Sequence, residues 1–211
     1  MGAASDLSHI IPPQQERSTK FLMRVLEAAE RILRRDGSEG LTMPAVAVEA
    51  GVSVGGIYRR FQTKQDLLRA IKDRHLTRSE EAMALAMAAP HASLAAVAET
   101  FVATLIKGGG SQGLFGVIME NRGVDAVMHN RGQISVGRMR AALAAALGPF
   151  RDRIRHADPD AAIDMAFLIA ISVFMRRAKE GAKGVAKLPP WSDVRRELAR
   201  AMVAYLEYPA D

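Results

Sequence analysis

The chain contains no cysteine and one tryptophan, and its aromatic residues together make up 5% of 211 positions. Without thiols there is no disulfide, no thiolate zinc site, no iron–sulfur cluster and no cysteine nucleophile. That usage suits a reducing compartment, and the expected location is cytoplasmic. Clusters of aromatic and β-branched residues, the material of strands, are few, whereas Ala, Leu, Met and Arg, all good helix formers, are abundant. The longest apolar run, Met165 to Met175, falls well short of the roughly 20 residues that a membrane span needs. Met1 to Arg17 lacks the basic start and apolar core of a signal peptide, and Asp6 breaks the myristoylation pattern that Gly2 would open. These absences leave a soluble, all-α chain as the expectation.

The net charge is +6. Residues 1–80 carry 13 Lys and Arg against 10 Asp and Glu, and the remainder carries 16 against 13, so each part contributes +3. A basic balance permits a polyanionic partner, but here it does not say which part of the chain would meet one.

Periodicity divides the chain. Residues 1–16, with Pro12-Pro13, read as a flexible leader. Leu22, Val25, Leu26, Ala29, Ile32 and Leu33 then recur at three- and four-residue steps, the apolar face of a first helix. Asp36-Gly37 is expected to stop it, with Gly37 taking a positive φ. Three punctuated helices follow from Thr42, the last running on to Ala88-Pro90. Beyond lie a helical stripe over Leu94–Leu105, a glycine-rich loop from Lys107, short helical pieces broken at Gly123, and an Ala-rich helix over Gln133–Leu147. Asp158-Pro159 is a helix start, an Asp cap with proline at the first helical position. A last helix spans about Ser192 to Tyr208.

The stretch from Leu41 to Leu68 carries the chemistry. Thr42 is placed to cap one short helix, Met43 to about Glu49. Gly51, in Ala50-Gly51-Val52, supplies the positive φ that a tight turn between crossing helices needs. Ser53 caps the next helix, Val54 to Phe61, whose Ile57 and Phe61 face inward. Its other side is expected to carry Val54, Gly55, Gly56, Tyr58, Arg59 and Arg60, with the two glycines letting the helix start approach a surface closely. Thr63-x-x-Asp66 is a capping-box pattern for the helix after. Lys64, in that first turn, opposes the helix dipole, which a phosphate partner would explain.

These positions resemble the TetR family of transcriptional regulators: Thr42, then Ala50-Gly51-Val52-Ser53-x-Gly55-x-Ile57-Tyr58-x-x-Phe61-x-x-Lys64-x-x-Leu67-Leu68. The resemblance implies a helix-turn-helix DNA-binding domain over residues 17–63 and a ligand-binding and dimerisation domain over 64–211. Val54 to Arg60 would be the recognition helix, with Ser53 at its start. Thr42, Tyr58 and Lys64 would contact phosphates, and Gly55, Gly56 and Arg59 would lie nearest the base edges. Gly56 departs from the pattern, since a larger residue able to touch DNA often stands there; base readout would then rest on Arg59 and on DNA shape. The implied function is a repressor that binds a near-palindromic operator as a homodimer through its last two helices, released by a small, apolar effector. Residues expected to line the effector site are Phe101, Leu105, Phe115, Met119, Met128, Met139, Phe167, Ile171 and Met175, with Asn121, Arg122 or Asp125 orienting a polar group. No cofactor, metal or membrane partner is implied.

Two other readings stand beside this one. A helical small-molecule-binding or interaction module would keep an apolar pocket and ignore DNA. Gly109-Gly110-Ser111-Gln112-Gly113 fits the G-x-S-x-G pattern of a hydrolase, but that motif needs a preceding strand, and the segment before it is helical in period. The histidines, His9, His75, His91, His129 and His156, have no metal-ligand spacing.

Overall fold

A computed structural model describes residues 14–109, 126–183 and 188–209. The described residues form helices and no strand: α1 (Gln14–Gly40), α2 (Met43–Ala50), α3 (Val54–Tyr58), α4 (Lys64–Ala88), α5 (Leu94–Gly109), α6 (Ala126–Leu147), a 3-10 helix (Gly148–Arg153), α7 (Pro159–Lys183) and α8 (Trp191–Glu207). They fall into two compact units, Met1–Leu67 and Leu68–Asp211.

The first unit is built on the apolar stripe of α1. Val25, Ala29, Ile32 and Leu33 are buried, as are Leu41, Met43, Val46 and Ala47 of the segment that packs on it. Gly37 breaks α1 near its end at φ 69, ψ −165, a region open in practice only to glycine. The chain turns there and re-enters as α2, where Thr42 Oγ1 accepts from Ala45 N at 3.2 Å. α1 begins at Gln14, inside the stretch read as leader.

The second unit packs α5 against α8 and α7, and α6 against α5 and α7. Its core is aliphatic with a few rings: Phe101 and Phe167 meet at 5.9 Å between centroids. Asp158 starts α7 as its sequence foretells, Oδ1 accepting from the backbone N–H of Asp160 at 3.0 Å and of Ala161 at 3.1 Å. Trp191 fixes the start of α8 through Phe174, at 5.9 Å between centroids, and through the Arg177 guanidinium 4.8 Å over its ring.

Two boundaries differ from the periodicity reading. α6 starts at Ala126, upstream of Gln133, because Met128, Ser135, Met139 and Leu143 keep one buried face through Gly132 and Gly137. α5 continues to Gly109, through glycines that were expected to end it.

Candidate functional site

The pair α2–α3 is assembled by local chemistry that each residue type dictates. Gly51 takes φ 61, ψ 46, and its N–H closes the end of α2 on the carbonyl of Val48 at 3.1 Å. Ser53 Oγ accepts from Gly56 N at 3.1 Å and so caps α3. In both caps the hydroxyl oxygen accepts, and its own proton is not used by that bond. Ile57 and Phe61 are buried and seat the helix on the unit's core.

α3 is shorter than expected, ending at Tyr58 rather than Phe61. Arg59 and Arg60 stand in the turn that follows. The hydrogen bonding tightens there: Arg60 N reaches Ile57 O at 2.9 Å while Phe61 N shares the same carbonyl at 2.8 Å. A five-residue helix has too few internal bonds to hold itself, so its shape comes from the Ser53 cap and the two buried anchors.

On the outer side Gly55, Tyr58, Arg59 and Arg60 are exposed and Val54 is half-buried. The side chains of Tyr58, Arg59 and Arg60 make no hydrogen bond or ion pair among the described residues. Elsewhere in the chain the arginines are mostly engaged: Arg31 and Arg35 hold Glu49, Arg151 holds Asp160 and Arg140 holds Asp164. The Arg31 and Arg35 bonds keep the Glu49 carboxyl below its usual range.

Two expectations are corrected. Gly56 is buried and faces inward: a Cβ there would stand 3.0 Å from Ser53 Oγ and 3.3 Å from the ring of Phe21. Its glycine is explained by packing beneath Phe21 rather than by approach to a surface, while Gly55 has open space around it. Lys64 does not await an outside partner to justify its place, since its Nζ donates to the Ser38 carbonyl at 2.6 Å. Beside it the capping box closes reciprocally, Thr63 N on Asp66 Oδ2 at 3.0 Å and Asp66 N on Thr63 Oγ1 at 3.1 Å.

Sequence reasoning missed Arg24. From the polar side of α1 its guanidinium donates to the carbonyls of Ala50 at 2.8 Å and Gly51 at 3.0 Å. It thereby satisfies the C-terminus of α2, whose carbonyls a cation suits. The separation of 26 residues left no local sign of this.

The second unit encloses a cavity of about 260 Å³ between α4, α5, α6 and α7. Of the residues expected there, Leu105, Met128, Met139, Ile171 and Met175 line it; Phe101 and Phe167 are buried in the core and do not. Phe115, Met119, Asn121, Arg122 and Asp125 lie outside the described residues, as does Ser111. Lys72, His75 and His129 also line it, unforeseen because histidines were weighed only as metal ligands. Beside the cavity Arg131 of α6 grips α4, donating from Nε to Asp73 at 2.7 Å and from NH2 to Thr77 at 3.1 Å, and pairing through NH1 with Glu80. Arg138 also holds Glu80, at 2.5 Å. Burial pushes the Glu80 carboxyl up, but the bonds from Arg131 and Arg138 outweigh it and hold that carboxyl below its ordinary range.

The described residues thus form a helix-turn-helix with an exposed basic turn, followed along the chain by a helical unit around a cavity. Residues 25–71 match the family model described as bacterial regulatory proteins, tetR family. Over 94 residues the chain is 32% identical to the uncharacterized HTH-type transcriptional regulator YfiR of Bacillus subtilis (strain 168), a match covering 44% of this chain and 45% of YfiR. It therefore spans less than half the length of that relative. The TetR family transcriptional regulator PfmR from Thermus thermophilus has the same fold, with a TM-score of 0.62 at 16% identity over 95% of this chain and 99% of PfmR. So does FadR from Bacillus subtilis, in complex with stearoyl-CoA, with a TM-score of 0.63 at 16% identity over 87% of this chain and 98% of FadR. Residues 25–71 thus resemble the tetR family, and the fold of the described residues is like that of solved TetR-family regulators. No helix among the described residues is long and apolar enough to cross a membrane.

Proposed function

We propose that this protein is a ligand-responsive repressor that binds a near-palindromic operator as a homodimer. The observation that carries the reading is the exposed, unpaired Tyr58-Arg59-Arg60 turn on a helix whose opposite side is locked by Ile57 and Phe61. In a fold where most arginines are ion-paired, two adjacent ones left open on a rigid edge suit phosphate and base acceptors. Thr42 and Ser53, exposed at the starts of α2 and α3, add hydroxyl donors beside them. Lys64, already bound to Ser38, serves as an internal tether rather than a phosphate contact.

A second copy is expected on α7 and α8. Met165 and Leu168 on α7 are 44% and 53% exposed, large apolar side chains one helical step apart. Covering such a face by a symmetric mate gives two reading heads, and a two-fold protein reads a two-fold site. FadR holds a small molecule in the same fold, which supports an effector in the cavity of the second unit. α4, whose first turn belongs to the first unit and whose body lines the cavity, is the segment through which a bound effector would lower DNA affinity.

Gel retardation against fragments of the source genome tests the reading. Wild-type protein retains at least one duplex at low salt, the double variant Arg59→Ala/Arg60→Ala retains it at least about a hundredfold more weakly, and footprinting shows a two-fold site. If no fragment is retained, or the double variant binds as well as wild type, the reading is wrong.

A further inference from the structure

Within the first unit, one side of α1 lies along the turn that joins α2 to α3. Phe21 and Arg24 are three positions apart and so neighbours on the helix surface. A Cβ on Gly56 of α3 would lie 3.3 Å from the Phe21 ring. The Arg24 guanidinium donates to the carbonyls of Ala50 at 2.8 Å and Gly51 at 3.0 Å, both times from Nη2. Gly51 stands two residues before Ser53, the exposed cap of α3. Arg24 is itself an exposed residue. A guanidinium has five N–H groups, and two bonds from Nη2 leave those of Nη1 and Nε over. The carbonyls at the end of α2 carry partial negative charge, which would repel a phosphate approaching the start of α3. With Arg24 bound to them, the sign of that edge is reversed. Arg31 and Arg35, farther along α1, are held by the Glu49 carboxylate, which answers their charge within the protein. The carbonyls that hold Arg24 are neutral, so its full charge remains.

Resting on the DNA-binding reading above, we propose that Arg24 is a phosphate-binding residue of the DNA interface, anchored to the turn through Nη2 and giving its remaining donors to the backbone of the duplex. The two carbonyl bonds fix the guanidinium before DNA arrives, so little side-chain freedom is left to lose on binding. Its bond to a phosphate oxygen is charge-assisted, the stronger kind. The backbone suits it better than a base edge, because Arg24 belongs to α1 and is tied to the turn before α3, whereas Tyr58, Arg59 and Arg60 stand at the other end of that helix. A contact of this type sets the register of the protein on the duplex and carries no sequence information of its own. Arg24 thus does two things with one side chain: it closes the end of α2 and it makes that end attractive to an anion.

The test uses the full chain and a mixed-sequence duplex of about 30 base pairs, since a backbone contact does not depend on sequence. Affinity is followed by fluorescence anisotropy from about 50 to 200 mM salt, and each variant is melted without DNA. Arg24→Met is expected to weaken binding about tenfold at the low end and to reduce the slope of log affinity against log salt by about one per bound copy. Arg24→Gln, whose amide can still donate to a carbonyl, gives the same fall in slope with a smaller loss of melting temperature. Arg24→Lys keeps the charge but not the fork, so it melts lower and keeps the slope. Arg35→Met removes the same charge from the same helix at Glu49 and keeps the slope as well. A purely structural Arg24 would lower the melting temperature and leave the slope in place. The proposal is overturned by a wild-type slope in both uncharged Arg24 variants, or by an equal fall in slope for Arg35→Met. If the wild type retains no duplex, the DNA-binding reading falls and this one with it; if it binds and the slope ignores Arg24, only this one falls.

Discussion

Arg131 Nε on α6 donates to Asp73 Oδ1 on α4 across 2.7 Å, although the two residues are 58 apart in sequence. With Thr77 and Glu80 on the same guanidinium, one side chain spans two turns of α4. Arg131→Met removes every donor while keeping much of the stem. The second unit is expected to lose about 2–3 kcal/mol, read as a lower urea midpoint. Arg131→Lys restores only part, because an ammonium cannot reproduce the fork. A double-mutant cycle with Glu80→Gln gives a sum smaller than its parts.

The Glu80 carboxyl sets a pH dependence. Burial raises it and the guanidinium bonds lower it further, so it titrates below 4.5 in the folded chain. A depressed carboxyl stabilises the fold fully above its unfolded value and loses that contribution as pH falls through the folded one. Thermal stability therefore drops on acidification below about pH 4.5. Glu80→Gln flattens that part of the profile and leaves the region above pH 6 parallel to wild type.

Neighbouring glycines are expected to respond in opposite ways. Gly56→Ala forces a methyl against Phe21 and Ser53 and lowers stability by about 1 kcal/mol; Phe21→Leu in the same chain recovers part of it. Gly55→Ala meets nothing within 4 Å and raises stability by about 0.5–1 kcal/mol through helix propensity. If α3 approaches DNA closely, the Gly55 variant melts higher yet binds its duplex more weakly, and melting scans paired with gel retardation show the split.

Lys64→Met separates a tether from a phosphate contact. The Ser38 bond predicts about 1 kcal/mol of lost stability. A phosphate contact predicts instead that the slope of log affinity against log salt falls by about one. We expect the stability loss with the slope unchanged, from melts and from salt titrations of duplex binding.

What could be read from sequence was what chain neighbours decide. Thr42, Gly51, Ser53 and the Thr63–Asp66 box act within four residues of themselves, and each was placed correctly. The buried stripe of α1 followed from its period. Residues whose role depends on distant partners escaped: Arg24 on the carbonyls of Ala50 and Gly51, Phe21 over Gly56, and Arg131 on α4. Gly56 was misplaced because a glycine shows no side-chain polarity from which to judge its facing. Lys64 was assigned an outside partner because an internal backbone carbonyl leaves no mark in composition.

The brevity of α3 has a consequence for how such a protein diversifies. Its conformation is imposed from outside, by Ser53, Ile57 and Phe61, while Arg59 and Arg60 carry no packing duty. Mutations at those two positions leave the hydrophobic seat untouched. Under the proposed function, new binding preferences can thus arise there in single steps, without a prior gain in stability to absorb them.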